Sequence, residues 1–128
     1  MRVKGQIKTE HHGNPKGRGR AVVTLVCSVK GSDYVKECEV ETENTTKNEL
    51  SLMAVIAGLR ELTKPCDVIL EIDGGYIPYQ SRNLKKWEGN GWQRAAGREL
   101  KNAKLWQQLK MLLKIHKVEF RRLEQEDE

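Results

Sequence analysis

The sequence predicts an α/β fold: a five-stranded mixed sheet, an antiparallel meander of three strands plus two parallel strands, flanked by helices. Three observations carry this. Residues before about 45 fall into β-rich runs separated by short turns. A polar Asn44-Thr45-Thr46 opening then leads into an apolar-periodic helix, which is followed by the short strand Asp67 to Ile72. A second helix precedes a last strand at Val118-Glu119-Phe120.

The elements follow in order. Gln6-Ile7-Lys8-Thr9 ends a short first strand, and His11 to Gly17 is a turn on the strength of its Gly, Asn and Pro. Arg20 to Lys30 holds a β-branched run suited to a central strand. Gly31-Ser32-Asp33 turns the chain. Tyr34 to Glu41 alternates apolar and charged residues, as an edge strand should. The helix begins on the caps Asn44-Thr45-Thr46 and runs to about Thr63, with Leu50, Met53, Ala54, Ala57 and Leu59 on its apolar face. Pro65 stops it. Gly74-Gly75 leads into a brief helical segment near Tyr76. Asn83 to Gly97 reads as irregular, and Asn102 to Leu113 as a helix with Leu105, Leu109, Leu112 and Leu113 inward. The strand–helix–strand unit after the meander calls for a right-handed parallel crossover. The acidic end, residues 124–128, is expected to fray.

Composition narrows the function classes. With 128 residues the chain suits one domain spanning 1–128. The net charge of +5 favours an acidic partner, nucleic acid first, although an ordinary basic protein fits the charge equally well. Cys27, Cys38 and Cys66 lack CxxC spacing and are odd in number, which argues against zinc and a disulfide framework. They read as reduced thiols of a cytoplasmic protein. No apolar run reaches the roughly 18 residues a membrane helix needs, and no apolar signal segment opens the chain.

Five fragments resemble type 1 ribonuclease H in the right order and near-family spacing. These are Thr9-Glu10 with Gly13-Asn14-Pro15; Thr45-Thr46-Lys47-Asn48 with Leu52-Met53-Ala54; Val68 to Tyr76; Trp87 with Gly91-Trp92; and Lys101-Asn102-Ala103-Lys104-Leu105-Trp106. The resemblance spans nearly the whole chain. It implies the ribonuclease H-like fold, cleavage of the RNA strand of RNA/DNA hybrids, and clustered carboxylates holding two Mg²⁺ (or Mn²⁺) ions about 4 Å apart. The family supplies Asp, Glu, Asp and a final Asp, with a mobile His.

This chain departs from that pattern. Glu10 stands for the first Asp, one methylene longer. Asp73 matches the third carboxylate. Ser51 stands where the helix Glu belongs. Glu49 lies two residues earlier, about 200° around a regular helix. The sequence ends after the fifth strand, without the segment that carries the His, the final Asp and the closing helix in the family. At best, Glu124, Glu126 or Asp127 offers a substitute carboxylate from the tail. Glu10 and Asp73 are thus the residual metal-facing pair, fitted to a single weak metal site or none. Glu49 and Ser51 are the remaining catalytic candidates. Each also has a plain reading: Asp73 as a helix cap, Glu10 as a solvated strand end, Glu49 as a favourable charge at a helix start, and Ser51 as a small residue near the site. His11 and His12 suit a solvent-facing turn better than a metal site, and His116 reads as structural.

Arg82, Lys85, Lys86, Arg94, Arg98, Lys101 and Lys104 cluster with Trp87 and Trp92 interleaved. That pattern suits phosphate contacts with aromatic support; the alternative is a solvated basic helix with packed tryptophans. The resemblance places this stretch on the substrate duplex, with Asn102 beside it, and puts Gly13 and Asn14 toward the 2′-hydroxyl side of RNA. Three functions follow: a hybrid-binding protein with a degenerate site and weak or absent cleavage; an active nuclease whose site is rearranged or completed by a second copy or a protein partner; or a protein-interaction module of a larger assembly.

Overall fold

The computed structural model describes residues 1–94 and 97–123. Its strands are β1 (Arg2–Gly13), β2 (Gly17–Val29), β3 (Ser32–Thr45), β4 (Asp67–Ile72) and β5 (Lys117–Arg122). Its helices are α1 (Lys47–Arg60), α2 (Tyr76–Gln80), α3 (Leu84–Gly89) and α4 (Ala103–Leu113). The sheet order is β3-β2-β1-β4-β5. β1 pairs antiparallel with β2, and β2 with β3; β1 pairs parallel with β4, and β4 with β5. The expected five-stranded mixed sheet is observed.

One face of the sheet is apolar because the period-2 pattern puts Val3 and Ile7, Ala21, Val23 and Leu25, and Val68, Leu70 and Ile72 on one side. α1 lies on the β1–β3 part of the sheet and also against α4. It is therefore buried on more than one stripe. Leu52, Val55 and Ile56 are buried, while the expected Met53 and Ala57 are only half-buried. The helix ends at Arg60, not Thr63: Glu61 and Leu62 donate to the carbonyls of Gly58 and Leu59, closing the last turn ahead of Pro65.

The first hairpin is longer than its turn residues suggest. Pairing continues through His11↔Gly19, His12↔Arg18 and Gly13↔Gly17, so only Asn14 to Lys16 turn the chain. A Cβ on Gly13 would run into the Lys16 and Gly17 backbone, so the close approach requires glycine. Asn44 and Thr45 likewise belong to β3, leaving Thr46 as the sole cap of α1.

The stretch 83–97 is not irregular throughout. Ser81–Asn83 forms a 3-10 turn and α3 follows directly. Beyond it Gln93 bridges to Glu99, and Arg94 N–H donates to Arg98 O at 2.7 Å. In α4 the core positions are Ala103, Trp106 and Leu109, three residues apart on one face; Leu105, Leu112 and Leu113 are only partly buried.

Candidate functional site

The carboxylate candidates lie around the C-terminal ends of β1 and β4. Asp73 follows the last residue of β4, and its N–H donates to Ile7 O at 3.1 Å. Its carboxylate is held by one neighbour. Thr9 N–H donates to Oδ2 at 2.6 Å, and the Thr9 hydroxyl sits 3.1 and 3.2 Å from Oδ1 and Oδ2.

Glu10 follows Thr9, so the pleat turns its side chain to the opposite face of β1. There it stands across from Arg20, which in turn stands across from Glu41. Its cleft also holds His12, Arg18 and Glu43. The Arg20 guanidinium is bonded to Glu39, which raises its pKa, with smaller pushes from Glu10 and Glu41. Glu10 thus sits in an exposed cross-strand charge network.

The two α1 candidates are committed to the helix itself. Glu49 completes a capping box: Thr46 N–H donates to its Oε1 at 3.2 Å, and its own N–H donates to Thr46 Oγ1 at 3.1 Å. Its cleft is shared with Lys101, Asn102 and Lys104. Ser51 is buried, and its hydroxyl donates to Lys47 O at 3.1 Å. A hydroxyl spent on a backbone carbonyl replaces no metal-binding carboxylate.

A pair of Mg²⁺ ions needs several convergent carboxylate oxygens. Among the described residues no three His, Cys, Asp or Glu side chains are placed to hold a metal ion. The Asp73 oxygens already accept from Thr9. The described residues therefore do not fit a two-metal centre. Glu124, Glu126 and Asp127 lie outside them.

The basic stretch divides into surface and core. Lys85, Lys86, Lys101 and Lys104 are exposed, and the Arg82 guanidinium lies 5.9 Å from the Tyr79 ring centre. Trp87 is buried, edge-on to Trp106 at 5.3 Å between centroids. Its ring is packing, which takes it away from stacking on bases. Trp92 is half-buried against the same core, with its N–H on Trp87 O at 2.8 Å. Asn102 adopts a left-handed conformation, φ 63°, and donates from Nδ2 to the Tyr76 hydroxyl at 3.3 Å. Gly13 and Asn14 sit at the exposed end of the β1–β2 hairpin.

A family model for RNase H matches residues 11–124. The chain belongs to the ribonuclease H family. Glu10 lies just outside the matched span. Ribonuclease H of Pseudomonas fluorescens is 42% identical over 107 residues, 83% of this chain and 68% of the relative. That of Caldicellulosiruptor saccharolyticus is 40% identical over 83 residues, 63% of this chain and 57% of the relative. The chain thus spans little more than half to two thirds of these relatives. Among solved structures, LC9-RNase H1, described as a type 1 RNase H with the type 2 active-site motif, is 25% identical with a TM-score of 0.81, covering 95% of this chain and 62% of that one. LC11-RNase H1 in complex with RNA/DNA hybrid is 15% identical with a TM-score of 0.66, covering 94% and 84%, and shows the fold.

Beside the family residues, sequence reasoning overlooked four groups. Thr9 was legible only as a strand residue next to Glu10. Tyr76 is a hub: its hydroxyl accepts from Asn102 Nδ2 and from Trp106 Nε1 at 3.1 Å. Lys47 and Arg122 both reach the glycines after Asp73. No local pattern marks these contacts, because each joins elements far apart in the chain. No described helix is long and apolar enough to cross a membrane.

Proposed function

We propose that this ribonuclease H family member binds RNA/DNA hybrid through its basic surface and cleaves it weakly or not at all. The single observation that supports this is the carboxylate inventory. Asp73 is held by Thr9, Glu49 is spent on the Thr46 cap, the Ser51 hydroxyl is spent on Lys47 O, and Glu10 faces Arg20. Exposed Lys85, Lys86 and Lys101 supply phosphate contacts, and Gly13 and Asn14 the RNA-side turn. Hybrid-bound neighbours of the same fold favour this ligand. Glu10 and Asp73 lie on opposite faces of β1, so no Mg²⁺ or Mn²⁺ is held between them. The reduced thiols suit a cytoplasmic protein.

A second reading has its own support: the relatives at 36–42% identity are all named ribonuclease H. In that reading Glu49, residues 124–128, or a second copy or protein partner complete an active site.

The test is labelled RNA/DNA hybrid, assayed for binding and for cleavage in Mg²⁺ and then Mn²⁺. Salt-dependent binding with no turnover at high protein is expected. Turnover abolished by Asp73→Asn establishes the nuclease instead. Lys85→Gln with Lys86→Gln should weaken binding and lower the log–log salt slope by about 2. Unchanged binding in that pair would remove the basic surface from the interface.

A further inference from the structure

Two cationic side chains reach the chain just beyond Asp73, and neither has a part in the carboxylate reading. The Lys47 ammonium, from the first residue of α1, lies 4.0 Å from where a Cβ on Gly74 would sit. The Arg122 guanidinium, from the last residue of β5, lies 3.8 Å from the corresponding point on Gly75. Both residues are exposed. Neither makes an ion pair among the described residues. Asp73, the nearest carboxylate in sequence, spends its oxygens on Thr9. Two positive charges therefore flank a side-chain-free pair of residues beside one carboxylate that Thr9 already engages. A divalent cation is repelled from such a place; a phosphate oxygen is attracted to it. The glycines leave open the room a Cβ would fill.

We infer that Lys47, Arg122 and Gly74-Gly75 form a seat for a backbone phosphate of bound nucleic acid. It lies at the strand end where the family's chemistry calls for metal ions. The inference rests on the proposed nucleic-acid binding and adds to it that engagement at this end is independent of metal. Lys47 and Arg122 are binding residues, separate from the Lys85–Lys86 surface on α3.

The test measures hybrid affinity against salt for the intact protein, in EDTA and in Mg²⁺. The wild type should bind equally well in both. Lys47→Gln and Arg122→Gln should each weaken binding and lower the log–log salt slope by about 1. Both sites are exposed, and unchanged thermal melts will show that the variants fold. Asp73→Asn should bind at least as tightly as wild type, since it removes a negative charge. If Lys85/Lys86 changes lower the slope while Lys47→Gln and Arg122→Gln do not, the seat is refuted and the hybrid-binding reading stands. If Mg²⁺ tightens binding and Asp73→Asn abolishes that gain, the place is a metal site and the inference is overturned. If the wild type binds no hybrid, both readings fall.

Discussion

Thr9 holds Asp73 with two donors, its backbone N–H at 2.6 Å and its hydroxyl at 3.1–3.2 Å. The contact ties the residue just after β4 to β1 across 64 positions of sequence. Half-buried bonds to a charged acceptor are stronger than neutral ones, but partial solvent exposure weakens them. Thr9→Val keeps the shape and the N–H and removes the hydroxyl. It should cost about 1 kcal/mol in urea unfolding. A variant as stable as the parent would mean that Asp73 does not depend on this hydroxyl.

Tyr76 carries the other polar knot. Its hydroxyl accepts from Trp106 Nε1, and Trp106 is fully buried among Tyr76 and Trp87. Tyr76→Phe leaves the indole N–H without this partner and frees Asn102. The expected loss is about 1–3 kcal/mol, the cost of a buried donor left unmade. Trp106→Ala should be worse, about 3–5 kcal/mol, because it also empties the space between α1, α4 and α3. Equal stabilities for the two variants would show that the hydrogen bond, and not the packing, dominates.

The fold was legible because its signals are local and repeated. The β-branched run of β2, the cap of α1 and the short apolar β4 each announce an element within a few residues. Their parallel or antiparallel sense follows from connection length. Boundaries were less legible. His11 to Gly13 look like turn residues, yet the β2 ladder extends pairing to Gly13. Of the candidate site, the sequence shows positions alone, Glu10, Ser51 and Asp73. What those positions do depends on Thr9, Arg20 and Lys47, which meet them across strands or around a helix start. Trp87 and Trp92, interleaved with lysines, read as a binding surface. Trp87 is buried edge-on to Trp106, on a helix whose spacing looked leucine-driven, and Trp92 is half-buried against the same core.

Glu49 separates a structural from a catalytic carboxylate. In the capping box a Gln at this place accepts the Thr46 N–H as Glu does. Glu49→Gln should therefore melt close to the parent and retain whatever hybrid cleavage the parent shows. Glu49→Ala should lose about 0.5–1 kcal/mol, and Thr46→Ala about 1 kcal/mol, by loss of the cap. A Glu49→Gln variant that folds normally but loses cleavage would assign the carboxylate to the reaction.

Cys66 makes stability fall at alkaline pH. Burial raises its thiol pKa above the ordinary 9.0, and its Sγ–H donates to Lys64 O at 3.0 Å. The folded state thus favours the protonated thiol more than the unfolded chain does. Stability from this preference is full below the unfolded pKa and is lost as pH rises from there through the folded value. Cys38 shifts in the same direction, also chiefly by burial. Denaturant unfolding at about pH 7 and about pH 10 should show the parent losing more stability than Cys66→Ala over that interval. The two proteins differ only at this side chain, so the difference between them isolates the thiol. Identical losses would mean that Cys66 ionises as freely in the folded chain as in the unfolded one.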